Sequence, residues 1–236
     1  PEGTASSAKI VQPDVSLGGP VLKDRSWFFA TYRYLRTESG ISRSADQIAT
    51  LQAIQPGWVP FSSSSEGHFY FIKSTTKLGN KHQLMASFQS DPLDKDSVGP
   101  TSLGRDVWST TGGVGVAGRM TSTWSSALLS RVSVSFNNKH IQIGTVQDAP
   151  ERLIHKSTFL SAGRITGTGF VAVADNGNTG LGTRAPYGKT TLTGDLTYYR
   201  AGRLGSHELQ AGFFGQRLDQ ELYLVYANGG FVQEEV

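Results

Sequence analysis

The sequence contains no cysteine. That excludes a disulfide framework, a zinc ribbon and thiol catalysis. It leaves the compartment open, because an oxidising space permits disulfides without requiring them. Long hydrophobic runs are also missing: no stretch approaches the ~18 apolar residues of a membrane-spanning helix. Charge is sparse. Charged residues make up 17% of the 236, and the formal net charge is +3 with basic residues scattered, which argues against nucleic acid as a partner. No Gly-x-Ser-x-Gly, His-Glu-x-x-His or phosphate loop occurs. The glycines of Gly163–Gly169 lack a strand–helix setting. Of His68, His82, His140, His155 and His207, His82 and His207 read as solvated turn residues, and neither has a partner at metal-ligand spacing. Neither an enzyme nor a cofactor is expected.

Glycine, in contrast, is abundant at 28 residues, and aromatics reach 10%. Together with serine and threonine, the glycine disfavours a helical bundle; the aromatics disfavour disorder. The length suits one all-β domain or two ordinary ones. The chain opens Pro1-Glu2-Gly3 without an initiator Met or signal-peptide pattern and closes Glu234-Glu235-Val236 after an aromatic run. It therefore reads as an internal piece of a longer protein.

Four turn signals stand out, at 22–26, 78–82, 120–124 and 202–206. Each separates two runs alternating with period two, the mark of a strand with unlike faces. Leu84, Ala86 and Phe88 oppose Gln83, Ser87 and Gln89. Val132, Val134 and Phe136 oppose Arg131, Ser133 and Ser135. Leu209, Ala211 and Phe213 oppose Glu208, Gln210 and Gln216. The prediction is an all-β antiparallel up-and-down meander: about eight strands of ~10 residues or more, against a usual ~5–6. Short turns lie on one rim. Long loops (38–67, 92–105, 138–186 and the end from 220) lie on the other, the layout of an outer-membrane barrel wall. In the first loop, Ser44–Ile54 reads as a short helix capped by Ser44 and stopped by Pro56-Gly57, with Ile48, Leu51 and Ile54 on one stripe. Ser62–Ser65 reads as a flexible spacer.

The polar faces nominate a lumen-facing or plug-facing set: Arg33, Lys73, Lys77, Gln83, Gln89, Arg131, Asp195, Glu208, Gln210 and Gln216. The plainer explanation is that any barrel's interior is polar. Trp58, Phe61, Phe170 and Tyr187 are loop candidates for ligand contact, or for packing the loops onto each other. Asp91, Asp94 and Asp96, and separately Asp175, Asn176 and Asn178, are weak oxygen-rich candidates for a hard cation; solvated loop acids explain them equally. No metal is expected.

The hairpin Gly18-Gly19-Pro20-Val21-Leu22-Lys23-Asp24-Arg25-Ser26-Trp27-Phe28-Phe29 resembles an early barrel hairpin of TonB-dependent outer-membrane receptors. The branch is the one with a carboxypeptidase-regulatory-like domain ahead of its plug. Weaker echoes occur at 77–92 and 205–212. Independently of the name, Gly18-Gly19 permits a close approach or bulge and Pro20 suits a strand end. Lys23 and Asp24 keep the turn in water. Trp27, Phe28 and Phe29 are expected at the membrane–water boundary, in an aromatic girdle. The resemblance implies energised uptake of an unknown solute across the outer membrane of a Gram-negative-type bacterium. Its implied partners are outer-membrane lipid, a plug domain and further barrel strands of the parent chain, and a TonB-type complex acting through the plug. The plug is absent here, and eight strands cannot close a 22-stranded barrel. A passive porin or structural barrel, and a soluble β-sandwich binding module, remain the alternatives.

Overall fold

The computed structural model describes residues 7–96, 103–104, 107–145, 182–202 and 205–225, together with short strands at 151–155, 160–161, 164–165, 170–174 and 231–235. One antiparallel sheet dominates. Its strands are β1 Ala8–Val11, β2 Asp14–Leu22, β3 Ser26–Gly40, β4 Ser62–Leu78, β5 His82–Ser90, β6 Leu93–Asp96, β7 Val107–Ser125, β8 Leu128–Thr145, β9 Gly182–Gly202, β10 Gly205–Gln220 and β11 Tyr223–Val225. Three of these are continuations. β1 and β2 both pair β3, β5 and β6 both lie between β4 and β7, and β10 and β11 both pair β9. Eight strand positions result, each bonded to its sequence neighbour, in an up-and-down meander. The two outermost positions, β1–β2 and β10–β11, have a free edge among the described residues.

Three of the four turns fall where the glycine and polar signals put them. Lys23–Arg25 turns with Asp24 at φ 58°, and Gly79 takes φ 67°, both left-handed conformations that Asp and Gly tolerate. The third turn lies at Ser126-Ala127, not at 120–124. The Thr-Ser-Thr run before it continues the strand: Ser122 and Thr123 pair Ser130 and Leu129, and a bulge precedes Ser125. The Ala127 amide then donates to the Ser125 hydroxyl at 3.2 Å. Serine and threonine support either a turn or a polar strand face, and cross-strand pairing decides.

Strands run longer than expected on the loop side. β4 has 17 residues, β7 has 19 and β9 has 21. Ser62–Ser65 is no spacer: these residues pair Gly40 to Thr37, and Ser64 donates its amide and hydroxyl to the Asp96 carboxylate at 3.1 and 2.8 Å. The helix α1, Ala45–Ile54, carries the expected Ser44 cap as a full capping box. Ser44 accepts the Gln47 amide at 3.2 Å, and Gln47 reaches back to the Ser44 amide at 2.9 Å.

Core burial is inverted relative to a water-soluble sheet protein. Among the described residues the buried hydrophobic ones are Ile48, Leu51 and Trp58, all in the first long loop, with Ile54, Phe61 and Leu103 packed on them. The sheet's own large side chains are exposed, among them Ile72 at 51% and Phe136 at 42%. Among the described residues no helix is long and apolar enough to cross a membrane.

Candidate functional site: a two-faced sheet

Register sorts the side chains into two faces, because neighbours along a strand point oppositely. One cross-strand line reads Leu17, Ala30, Ile72, Phe88, Val116, Phe136. A neighbouring line on the same face brings Val134 opposite Leu192. On the last strands the apolar band steps toward the turns, through Leu196, Phe213 and Leu209. The Phe213 ring lies over Gly194, where a Cβ would come within 2.2 Å of it. Glycine thus lets an aromatic ring lie flat on the sheet.

Rings border this band on both sides. Toward the loops, Tyr32 and Tyr70 approach to 5.1 Å between centroids, and the Tyr32 hydroxyl and His68 Nδ1 are 2.9 Å apart. Tyr34 stands 5.5 Å from the same His68 ring. Toward the turns, His82 and Trp124 meet edge-on at 5.2 Å, and the Trp124 indole donates to Ser130 at 2.8 Å. Tyr198 lies on the same face, opposite Leu128. Beyond the loop-side rings the face turns charged, with Arg36 paired to Glu38 at 3.2 Å. Tyr70 and Leu78 are eight residues apart along β4, roughly 27 Å at ~3.4 Å per residue. A tilt of ~40° reduces that to roughly 20 Å, near the ~25 Å apolar band of outer-membrane barrels.

The expected girdle at Trp27-Phe28-Phe29 needs correction. Phe28 shares the apolar face with Ala30, but Trp27 and Phe29 point to the opposite face. Three consecutive strand residues cannot share one side. There Phe29 meets Phe71 at 6.3 Å, and the Lys77 ammonium lies 5.2 Å from the Trp27 ring centroid. Within the same hairpin, Gly18 sits close against its partner strand, with an added Cβ 3.1 Å from the Phe28 carbonyl, whereas Gly19 has open space. Pro20 pairs Trp27 just before a bulge.

All ten nominated lumen residues stand on this second face. Lys77 is opposite Gln83, Arg131 opposite Asp195, and Lys73 opposite Ser87. Gln89 shares its line with Gly115 and Asn137; Gln216 pairs Thr191, Gln210 pairs Thr197 and Glu208 pairs Tyr199. Arg33 pairs Asp14, and the Gln12 side-chain oxygen, in the orientation its neighbours require, accepts from it at 3.2 and 3.3 Å. Three further cations, Arg119, Lys139 and Lys189, belong to the same face and escaped the sequence reading. Lys139 falls in the segment read as a loop, 138–186, and Arg119 and Lys189 lie just beside the segments read as turn and loop. Arg119 donates to Ser133 at 3.1 Å, Arg131 pairs Asp195 at 3.5 Å, and Lys139 pairs Asp91.

The aspartate trio does not assemble. Asp91 takes Lys139 and the Gly113 amide, Asp94 accepts from Thr110, and Asp96 holds Ser64. Asp91 is held by β7 and β8, Asp94 by β7 and Asp96 by β4, and among the described residues no group of three or more His, Cys, Asp or Glu comes together. The patch at 175–178 lies outside the described residues.

The loop aromatics divide. Trp58 is 4% exposed and its indole donates to the Leu103 carbonyl at 3.0 Å, so it fastens one loop to the next and offers no face to a ligand. Phe61 packs on it at 6.1 Å, and the Arg43 guanidinium lies over both rings, 5.2 Å from Trp58 and 4.7 Å from Phe61. Burial lowers the Arg43 pKa from its ordinary value. The pair packs the loop, with Phe61 half-buried. Tyr187 belongs to β9, half-buried opposite Lys139, and is not a loop residue. The Phe170 side chain lies outside the described residues.

No family model matches the chain, and no curated protein matches it in sequence. Among solved structures it is similar to the outer membrane transporter YddB from Escherichia coli, at 10% identity and a TM-score of 0.48. The likeness covers 90% of this chain and 32% of that one, so the chain spans about a third of that protein's length.

Proposed function

We propose that this chain forms part of the wall of an outer-membrane transporter barrel, with the apolar face in lipid and the polar face toward an aqueous or plug-filled interior. One observation carries the reading: a continuous apolar band, uncovered by any other part of the described chain and bordered by rings on both sides. Eight strands at ~4.8 Å spacing with a band ~25 Å tall make a face on the order of 1,000 Å². Soluble monomers rarely expose more than a few hundred Å² in one patch. A β-sandwich would cover this band with a second sheet.

The finer reading is energised solute uptake in the outer membrane of a Gram-negative-type bacterium. A plug, further strands and a TonB-type complex would be partners. Its support is the Gly18–Phe29 hairpin. In that reading this wall has no moving part; it shapes the passage and carries the loops that a solute meets first.

Partitioning tests the wall. The chain should aggregate in plain buffer and recover β-type circular dichroism in detergent. A detergent-free monomer with a cooperative melt would overturn the proposal in favour of a soluble binding module.

A further inference from the structure

The polar face holds a shallow depression of about 200 Å³ lined by Ser87, Gln89, Gly115, Ala117, Ser135 and Asn137. Its floor is made of small residues. Gly115 is buried, and a Cβ there would come within 2.6 Å of Asn137 Oδ1 and 2.9 Å of Gln89 Nε2. Glycine thus makes the room over which the two amides converge. None of the four polar side chains hydrogen-bonds another side chain among the described residues. Each is left to bond what enters.

Its flanks are cationic. Lys73 stands opposite Ser87 on one side, and Lys189 opposite Asn137 on the other. Neither has a carboxylate at ion-pair distance among the described residues, whereas Arg131 and Lys139 on the same face are each paired. The wider field has the same sign: the cations of this face outnumber its acids, Asp14, Asp91, Asp195 and Glu208. Charges are screened over ~8 Å at physiological ionic strength, so the cations that count here are Lys73, Lys189 and Arg119, the last of them two residues from Ala117 on β7 and turned to Ser133.

We propose that this depression binds a small oxoanion, a phosphate or short carboxylate, between Lys73 and Lys189, with the serine hydroxyls and amide N–H groups as donors. The depression is shallow and open to solvent on one side. It falls below the ~300–1,000 Å³ of drug-sized pockets, so the ligand is small. The inference rests on the wall reading only in taking this face as water-lined, and it deepens that reading by naming an anionic class of solute.

The test is calorimetric titration of the full chain in detergent micelles with inorganic phosphate, with succinate and with glucose. The expected result is saturable binding of one or both anions and none of glucose; which anion binds distinguishes the two oxoanion types. Replacing Lys73→Gln and Lys189→Gln together should weaken binding about tenfold or more, since charge-assisted hydrogen bonds are lost. Lys77→Gln, four residues and roughly 13 Å along the same strand, should leave it unchanged. Gly115→Ala should also weaken binding by filling the floor, with the β-type circular dichroism retained. Three results would overturn the proposal: no saturable binding, glucose bound as well as the anions, or equal loss with Lys77→Gln, which would mean a diffuse field and no site. None bears on whether the sheet lies in lipid, so failure here is separable from failure of the wall.

Discussion

At the scale of single residues, the sharpest requirement is at the kink where β5 gives way to β6. Asp91-Pro92 interrupts the strand, and Gly112 opposite it takes φ 110°. A Cβ at Gly112 would lie 2.0 Å from the Asp91 carbonyl oxygen. The Gly112→Ala substitution is therefore expected to destabilise the chain by about 1–3 kcal/mol or more, the usual cost of backbone strain. Gly19→Ala, with nothing within 4 Å of the added carbon, should shift stability by no more than about 0.5 kcal/mol. Urea midpoints in micelles compare the two; equal shifts would contradict the close approach. Trp58 makes a second prediction. Truncation to alanine removes the ring that holds α1, Phe61 and Leu103 together, a loss of about 3–5 kcal/mol in a packed setting. Because the cluster lies outside the sheet, limited proteolysis should cut within residues 41–61 while the sheet's circular dichroism persists. Loss of both would place the cluster inside the sheet's cooperative unit.

For whole strands, the two faces predict opposite tolerance to charge. Ile72→Lys puts an ammonium in the middle of the apolar band and should cost about 2–4 kcal/mol in a bilayer. Thr193→Lys, on the other face opposite Ser133, should cost no more than about 0.5 kcal/mol. Folding titrations in lipid vesicles read both; equal penalties would refute the assignment of faces. Period-two alternation was enough to read these faces and three of the turns, because it is a local property. It misplaced the third turn and read Ser62–Ser65 as spacer, since serine and threonine have no strong preference and only partner strands decide. It set Trp27, Phe28 and Phe29 at one boundary by composition, although the pleat separates them. The loop-side rings were legible as single aromatics, yet their convergence around His68 depends on the register of β3 against β4. Likewise, Gln89 and Lys73 were legible as polar-face residues, while the depression that Gln89 lines and Lys73 flanks needed Gly115 and Asn137 from two other strands.

For the molecule as a whole, edges matter most. Among the described residues the sheet ends at β1–β2 on one side and β10–β11 on the other, each with a row of unpaired backbone groups. In hydrocarbon such groups must be paired, so the wall requires further strands or a second copy to close it; in water they are a pairing hazard. Hydrogen exchange on the chain in micelles should show fast amides along β2 and β10 and slow ones from β4 to β9. Uniform protection would mean that the edges have found partners. The central claim is that one face meets lipid and the other does not, and two tryptophans report on it directly. Trp124 borders the apolar band, and Trp27 lies on the polar face under Lys77. Single-tryptophan variants, reconstituted in vesicles whose lipids carry bromine on the acyl chains, separate the two by quenching. Strong quenching of Trp124 with Trp27 left bright is the expected result; equal quenching of both, or of neither, would contradict it.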